Sequence, residues 1–409
     1  MFKQTKPLYM IDTMLGMDNR NPSHAVADKS VRRVTNLDIL PTGEVVTRKT
    51  PELLCNVSAL SIFATQNDRL FAQTPGGLAH IINGQADILD ATLEFNIPCS
   101  FAEYNGMLWY SGMGSRGRVL LERRVTCGGT LPALTTIPNW GPPRPGFSIE
   151  QSIGDLRPGN YLVGVTSQDD FDVESDAEVR QVVMQQGSFI IHLAPNGYRK
   201  RIYLSHVNGE TMHHQITLPD GAIVFEVFNV PKSGGMPLME PLFPVPHGSK
   251  FIIHRAQMFS VVGNTCYISE PYNLHLANLL KSYSFEAPIT MLTAVEGGVM
   301  LAADKLYLIT NDIKCIALDE VLPIAGTELA YAHNAKGKQA YWLTERGAAL
   351  VDADGRVSYP AKDRIRLKAT SGISAHIKYR EQDVFVTFAD TYQAYRDSPV
   401  TNLIDNGVS

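Results

Sequence analysis

PITMLTAVEGGVMLAADKLYLIT (288–310) reads as a set of short strands broken at Gly297-Gly298, a turn whose glycines tolerate the backbone angles a tight hairpin demands. Directly after that turn stands a pair of large apolar residues, Val299-Met300, and then an alternating strand. The same landmark recurs at Leu70-Phe71, Leu108-Trp109, Met258-Phe259, Tyr341-Trp342 and Val384-Phe385. Along the chain its successive first members lie 38, 150, 41, 42 and 43 residues apart. A strand-rich period near 40 is the mark of a β-propeller blade, in which four short strands make one repeat. Six blade-like units are counted this way, and the interval of 150 predicts one foreign module inserted between the second and the third.

Two proline-rich tracts, LPALTTIPNWGPPRPG (131–146) and PKSGGMPLMEPLFPVPHG (231–248), bracket that module. Proline withholds a ladder donor and stiffens the backbone, so both tracts are expected to be crossings between domains. Between them, short alternating segments around 160–166, 177–184, 188–193, 200–205, 213–218 and 222–229 predict a small β-sandwich. The expected fold is all-β: a six-bladed propeller made from residues 1–145 and 231–409, interrupted by a sandwich at 146–230. The hairpin expected at 34–48, turning at Pro41-Thr42-Gly43, is a candidate to complete the final blade and hide its edge.

Composition is that of an ordinary globular chain, 44% hydrophobic and 19% charged. The formal net charge of −5 excludes a generally DNA-coating surface. Residues 146–230 hold 11 acids and 5 bases, so the insert carries −6 and the remainder +1. Cys55, Cys99, Cys127, Cys266 and Cys315 are odd in number and lack any CxxC, which points to reduced, buried thiols and assembly in a cytoplasm. The N-terminal stretch is too polar for a secretory leader, and no run approaches the ~18 apolar residues a membrane span needs.

RPGNYLVGVTSQDDFDVESD with RKRIYLSHVNGE resembles a fibronectin type III domain. Tyr161, Val165 and Thr166 form its tyrosine strand, Glu174-Ser175 its glutamate-serine turn, and Arg201, Ile202 and Tyr203 its later strand. The core tryptophan common in that family has no counterpart between 146 and 230. Two further segments are similar to phage tail proteins. In 15–49 the matching residues are Gly16, Asn19, Asn36, Asp38, Gly43, Arg48 and Lys49, with Thr50 where the family has glycine; in 259–278 they are Ser269, Glu270 and Pro271. The resemblance implies a non-enzymatic virion protein of the tail, assembled in the host cytoplasm, of the nozzle or hub kind. It implies a homo-oligomeric ring of six copies that extends the DNA-ejection conduit. Such a ring contacts portal and adaptor proteins and fibres or spikes, and lets the genome pass without specific binding. The rival from another class is a host-carbohydrate-binding or depolymerising propeller on the virion.

No catalytic, cofactor or metal residues are assigned. The acidic run Asp169, Asp170, Asp172, Glu174, Asp176, Glu178 invites calcium, yet it lacks the glycine and distal glutamate of an EF-hand loop and is expected to be a solvated loop. Asp352 and Asp354-Gly355 are expected to make a hairpin turn. His213-His214 would face opposite sides of a strand. Glu94, Glu103, Glu270, Glu296 and Glu320 have nothing to mark a glycosidase pair. Arg32, Arg33, Arg48, Lys49, Arg116, Arg118, Arg123 and Arg124 form a basic set expected at a subunit interface or on a solvated face, with DNA phosphate as the alternative partner.

Overall fold

A computed structural model of the chain describes residues 56–391, except 113, 127, 230, 232–233, 239–241, 249, 333–336, 361–368 and 380–381, together with four short strands before residue 48. Every described element is a β-strand. The chain divides into two compact units, one of residues 55–284 and one of residues 1–54 with 285–409.

Outside residues 147–227, three four-stranded sheets lie in the first unit. Sheet I is Ser61–Ala64, Leu70–Thr74, Gly77–Ile82 and Gln85–Asp90. Sheet II is Ser100–Tyr104, Met107–Ser111, Arg116–Leu120 and Thr136–Pro138. Sheet III is Lys250–His254, Gln257–Val262, Thr265–Ile268 and Ser282–Ser284. The second unit holds sheet IV, Met291–Val295, Gly298–Ala302, Leu306–Thr310 and Cys315–Asp319. It also holds sheet V, Leu329–Ala332, Lys338–Thr344, Gly347–Val351 and Val357–Ser358. All five are antiparallel meanders in which each strand pairs with the next one in its sheet. The sixth landmark, Val384-Phe385, falls on the second strand of a long hairpin, Ala369–Tyr379 with Gln382–Thr391. Leu37–Ile39 pairs with Val45–Thr47 as the early hairpin expected there, while its turn residues lie outside the described set.

In all five sheets the large apolar pair sits on the second strand. Its burial is more complete than alternation alone predicts. In sheet II, Met107 and Trp109 point into a cluster with Phe251, Met258 and Leu274 at sheet III. Leu108 and Tyr110, the residues between, point into a cluster with Phe71 and Leu78 of sheet I. In the second unit, Ala340 and Trp342 pack on Met291, Met300 and Leu308 of sheet IV, and Tyr341 and Leu343 pack on Ile324 and Tyr331. Successive side chains of a strand face opposite ways, so two adjacent large residues fill two different layers. These sheets are therefore covered on both faces, and the pair marks that condition. The turn before it has its own demand in sheet IV: Gly298 sits at φ +155°, where a Cβ would come 2.1 Å from the Ile309 carbonyl oxygen.

Between sheets II and III, residues 147–227 form seven strands: β1 Phe147–Leu156, β2 Gly159–Gln168, β3 Glu178–Met184, β4 Gly187–Leu193, β5 Arg199–Ser205, β6 Met212–Leu218 and β7 Val224–Val227. One sheet has the order β1-β4-β7 and the other β3-β2-β5-β6. Their inner faces share one core that includes Phe147, Tyr161, Val163, Phe189, Ile191, Ile202 and Leu204. This is a two-layer antiparallel sandwich. Tyr161 is buried in it, with its hydroxyl donating to the Arg157 carbonyl at 3.0 Å.

Candidate functional site

The acidic loop that joins β2 to β3 is only partly solvated: Asp170 and Asp172 are exposed, as a solvated loop would have them, but the rest of the run is not. Asp169 and Asp176 are buried, and arginines from several elements meet the run. Asp169 accepts at Oδ1 from the backbone N–H groups of Phe171 and Val173, both at 2.9 Å, and at Oδ2 from Arg118 Nη2 at 2.8 Å. Arg118 comes from sheet II and is 1% exposed. It lies directly across the ladder from Trp109, which puts the guanidinium 5.5 Å from the indole ring; Phe171 covers it at 5.9 Å. Its Nε and Nη1, like Nε1 of Trp109, meet no acceptor among the described residues.

Apart from the exposed Asp170, the remaining carboxylates each meet an arginine. Asp172 pairs with Arg199 at 3.0 Å. Glu174 accepts from Arg201 at 2.6 Å, from the Tyr203 hydroxyl at 2.6 Å and from the Thr166 hydroxyl at 2.5 Å. Asp176 is gripped by Arg144, which also reaches Glu178 at 3.6 Å. The Ser175 hydroxyl accepts from the Ser167 N–H at 2.9 Å and donates to the Asp176 carbonyl at 2.7 Å. Thr166, Glu174, Ser175, Arg201 and Tyr203, the residues that carry the fibronectin-like resemblance, thus gather around one turn. Burial and the bond to Glu174 push the Tyr203 hydroxyl far above its ordinary value. On the far side the buried His275 donates from Nε2 to the Glu174 carbonyl at 2.6 Å, and burial pushes its imidazole down to about 4.

A cavity of about 410 Å³ opens beside this junction. Its walls include Trp140, Pro142, Pro143, Pro244, Val245 and Leu276, with Arg116, Arg144, Asp176 and His275 as the charged and polar lining. Trp140 is held by a 3.0 Å bond from its Nε1 to the Tyr110 carbonyl, with Phe251 at 5.2 Å and the Arg116 guanidinium at 5.6 Å from its ring. Gly141 is required for close approach, because a Cβ there would meet the His275 ring at 2.2 Å. The proline tracts, read from sequence as crossings, build this wall; a wall made of separated prolines and one tryptophan leaves no spacing signal.

The other sequence candidates are dispersed. His213 and His214 take different partners: the Gly235 carbonyl at 3.0 Å for His213, the Tyr203 ring at 5.5 Å for His214. Asp352 closes the expected turn by accepting from the N–H groups of Asp354 and Arg356. Glu94 accepts from Asn96, Glu103 from the Gln66 N–H, and Glu270 pairs with Lys281. Glu296 lies at the turn of sheet IV, and Glu320 follows its last strand. Of the basic set, Arg118 is buried in its ion pair, and Arg124 lies 5.6 Å from the Phe171 ring. Arg123 is exposed, while Arg32, Arg33, Arg48 and Lys49 lie outside the described residues. Cys99, Cys266 and Cys315 are free thiols, the first two buried, and burial pushes Cys99 up to about 12; Cys55 and Cys127 lie outside the described set. Among the described residues no group of three or more His, Cys, Asp or Glu could hold a metal ion, and no helix is long and apolar enough to cross a membrane.

No family model and no curated protein matches the chain. Among solved structures, it is similar to a bacterial extracellular domain described as that of a one-component system of B. thetaiotaomicron. Identity is 10% and the TM-score 0.23, over 86% of this chain and 68% of that one. A crystal structure described as the extracellular domain of a hybrid two-component system of the same organism aligns at 10% identity and a TM-score of 0.25, over 85% and 66%. The CNH domain of AfRom2 aligns at 7% identity and a TM-score of 0.19, over 72% and 93%. Likenesses this distant assign neither fold family nor function.

Proposed function

We propose that the chain is a structural protein of a phage tail, of the nozzle or hub kind, and not an enzyme. Its four-stranded sheets would be blades of a propeller of about six, and the sandwich a fibronectin type III-like insertion. The observation that carries this reading is the burial of sheet II on both faces between sheets I and III, with the same two-sided packing on the second strand of sheet V. Meander sheets stacked face to face at a period near 40 are how propeller blades bury their cores. The sandwich order β3-β2-β5-β6, with β1 beside β4, supports the fibronectin-like reading.

A scaffold role fits the junction chemistry. Most of its carboxylates are held by arginines, which rigidifies the insert against sheet II. The tail assignment itself rests on the similarity of 15–49 and 259–278 to tail proteins. The six-fold ring, the portal, adaptor and fibre contacts and the virion location follow from it. Electron microscopy of particles lacking the protein tests the reading. Tails that end short, or heads that leak DNA, are expected. Normal tails with only reduced adsorption would refute the conduit role and favour the carbohydrate-binding rival.

A further inference from the structure

The cavity at Trp140 has an unbalanced charge. Arg144 at its mouth is matched by Asp176 and Glu178, but no carboxylate among the described residues lies within ion-pair distance of Arg116. The Arg116 guanidinium rests against the Trp140 ring and donates from Nη1 to His247 Nδ1 at 2.9 Å, which requires that nitrogen to carry a lone pair and the imidazole to be neutral. The other imidazole, His275, already spends its N–H on the Glu174 carbonyl. Arg116 is half-buried, so water compensates its charge only in part. Apart from Asn139, the rest of the wall is mostly apolar, with Pro142, Pro143, Pro244, Val245 and Leu276.

From this geometry we infer that the cavity is a binding site for a small organic anion. Its carboxylate or phosphate takes the free donors of Arg116, and its apolar body lies against the proline wall. A volume of about 410 Å³ suits one ring with a short substituent. Arginine matches both anionic groups, because its planar fork offers two parallel N–H donors to a pair of oxygens. Trp140 meets the tilted Phe251 ring at 5.2 Å and the Arg116 guanidinium at 5.6 Å, so it serves as the support under the guanidinium. The inference is independent of the tail assignment.

Ligand-observed NMR titration of the full chain at fixed ionic strength tests it, with benzoate, phenyl phosphate and the neutral benzyl alcohol as probes. At least one anion should bind in the millimolar range and at least tenfold more tightly than benzyl alcohol; which of the two does so separates a carboxylate from a phosphate ligand. R116Q should erase that preference. P143F, which fills the cavity from an exposed position and removes no core atoms, should abolish binding of all three, and it keeps the test valid should R116Q fail to fold. Equal affinity for anion and alcohol, an undiminished preference in R116Q, unchanged binding in P143F, or no binding by any probe would overturn the inference.

Discussion

Acid should loosen the junction through one histidine. In the fold His275 is 7% exposed and its imidazole is pushed down to about 4, first by burial; the Glu174 carbonyl opposes the shift, Arg118 adds to it and Asp169 opposes it. In the unfolded chain the same group titrates near 6.5. Between those values the unfolded state holds a proton that the folded state refuses, so stability is present above pH ~6.5 and is lost as pH falls toward 4. At ~1.4 kcal/mol per unit the full loss is about 3–4 kcal/mol, most of it gone by pH 4.5. H275Q keeps an N–H near the Glu174 carbonyl and removes the titration. Urea unfolding of the full chain, followed by tryptophan fluorescence at pH 7.0 and 4.5, should show the parent losing about 2–3 kcal/mol more than H275Q. Arg118 and Asp169 face the ring in both proteins, so a loss common to the two does not come from the imidazole. Parallel losses in the two proteins would refute the reasoning.

Four further outcomes are expected. R118M strands the buried Asp169 carboxylate and should cost about 3–5 kcal/mol, with a coupling to D169N above ~1 kcal/mol in a double-mutant cycle read by urea melts; zero coupling would deny the ion pair. W342A should cost about 3–5 kcal/mol because the residue is fully buried between sheets IV and V, and a loss under ~1 kcal/mol would contradict that packing. G298A should cost at least ~2 kcal/mol in the same assay, since its Cβ meets the Ile309 carbonyl at 2.1 Å; a neutral result would contradict the turn geometry. Deleting 146–230 and bridging the ends with a flexible linker should leave a β-rich remainder that still unfolds cooperatively by circular dichroism, though less stable because Arg118 and Trp109 lose Asp169 and Phe171; loss of all cooperativity would count against an inserted module.

The sheets were legible in sequence for a plain reason. Two adjacent large residues on a strand, such as Leu108-Trp109, need two apolar layers, and a chain that repeats this about every 40 residues declares stacked sheets. The pairs fell on second strands because the preceding turn, built from residues such as Asn105-Gly106 or Gly297-Gly298, is a local signal. Tertiary partners leave no such local mark. Nothing near Arg118 in sequence shows that its counter-ion stands at Asp169, and nothing near Trp140 shows that Arg116 will lie against its ring.

The acidic run makes the point most sharply, because its composition pointed the wrong way. A segment of net −6 suggests carboxylates that need water. Yet Asp169 and Asp176 are met by Arg118 and Arg144, both contributed from outside the segment, while Asp172, Glu174 and Glu178 are met by Arg199, Arg201 and Arg180 from inside it. Counting charge by segment therefore assigned to a solvent-facing loop the groups that join the sandwich to its neighbours. Removing either member of a buried pair leaves an uncompensated charge, so the insert cannot swing away from sheet II without exposing Arg118 and Asp169 together. The sandwich is accordingly braced against sheet II and does not hang from it as a free appendage.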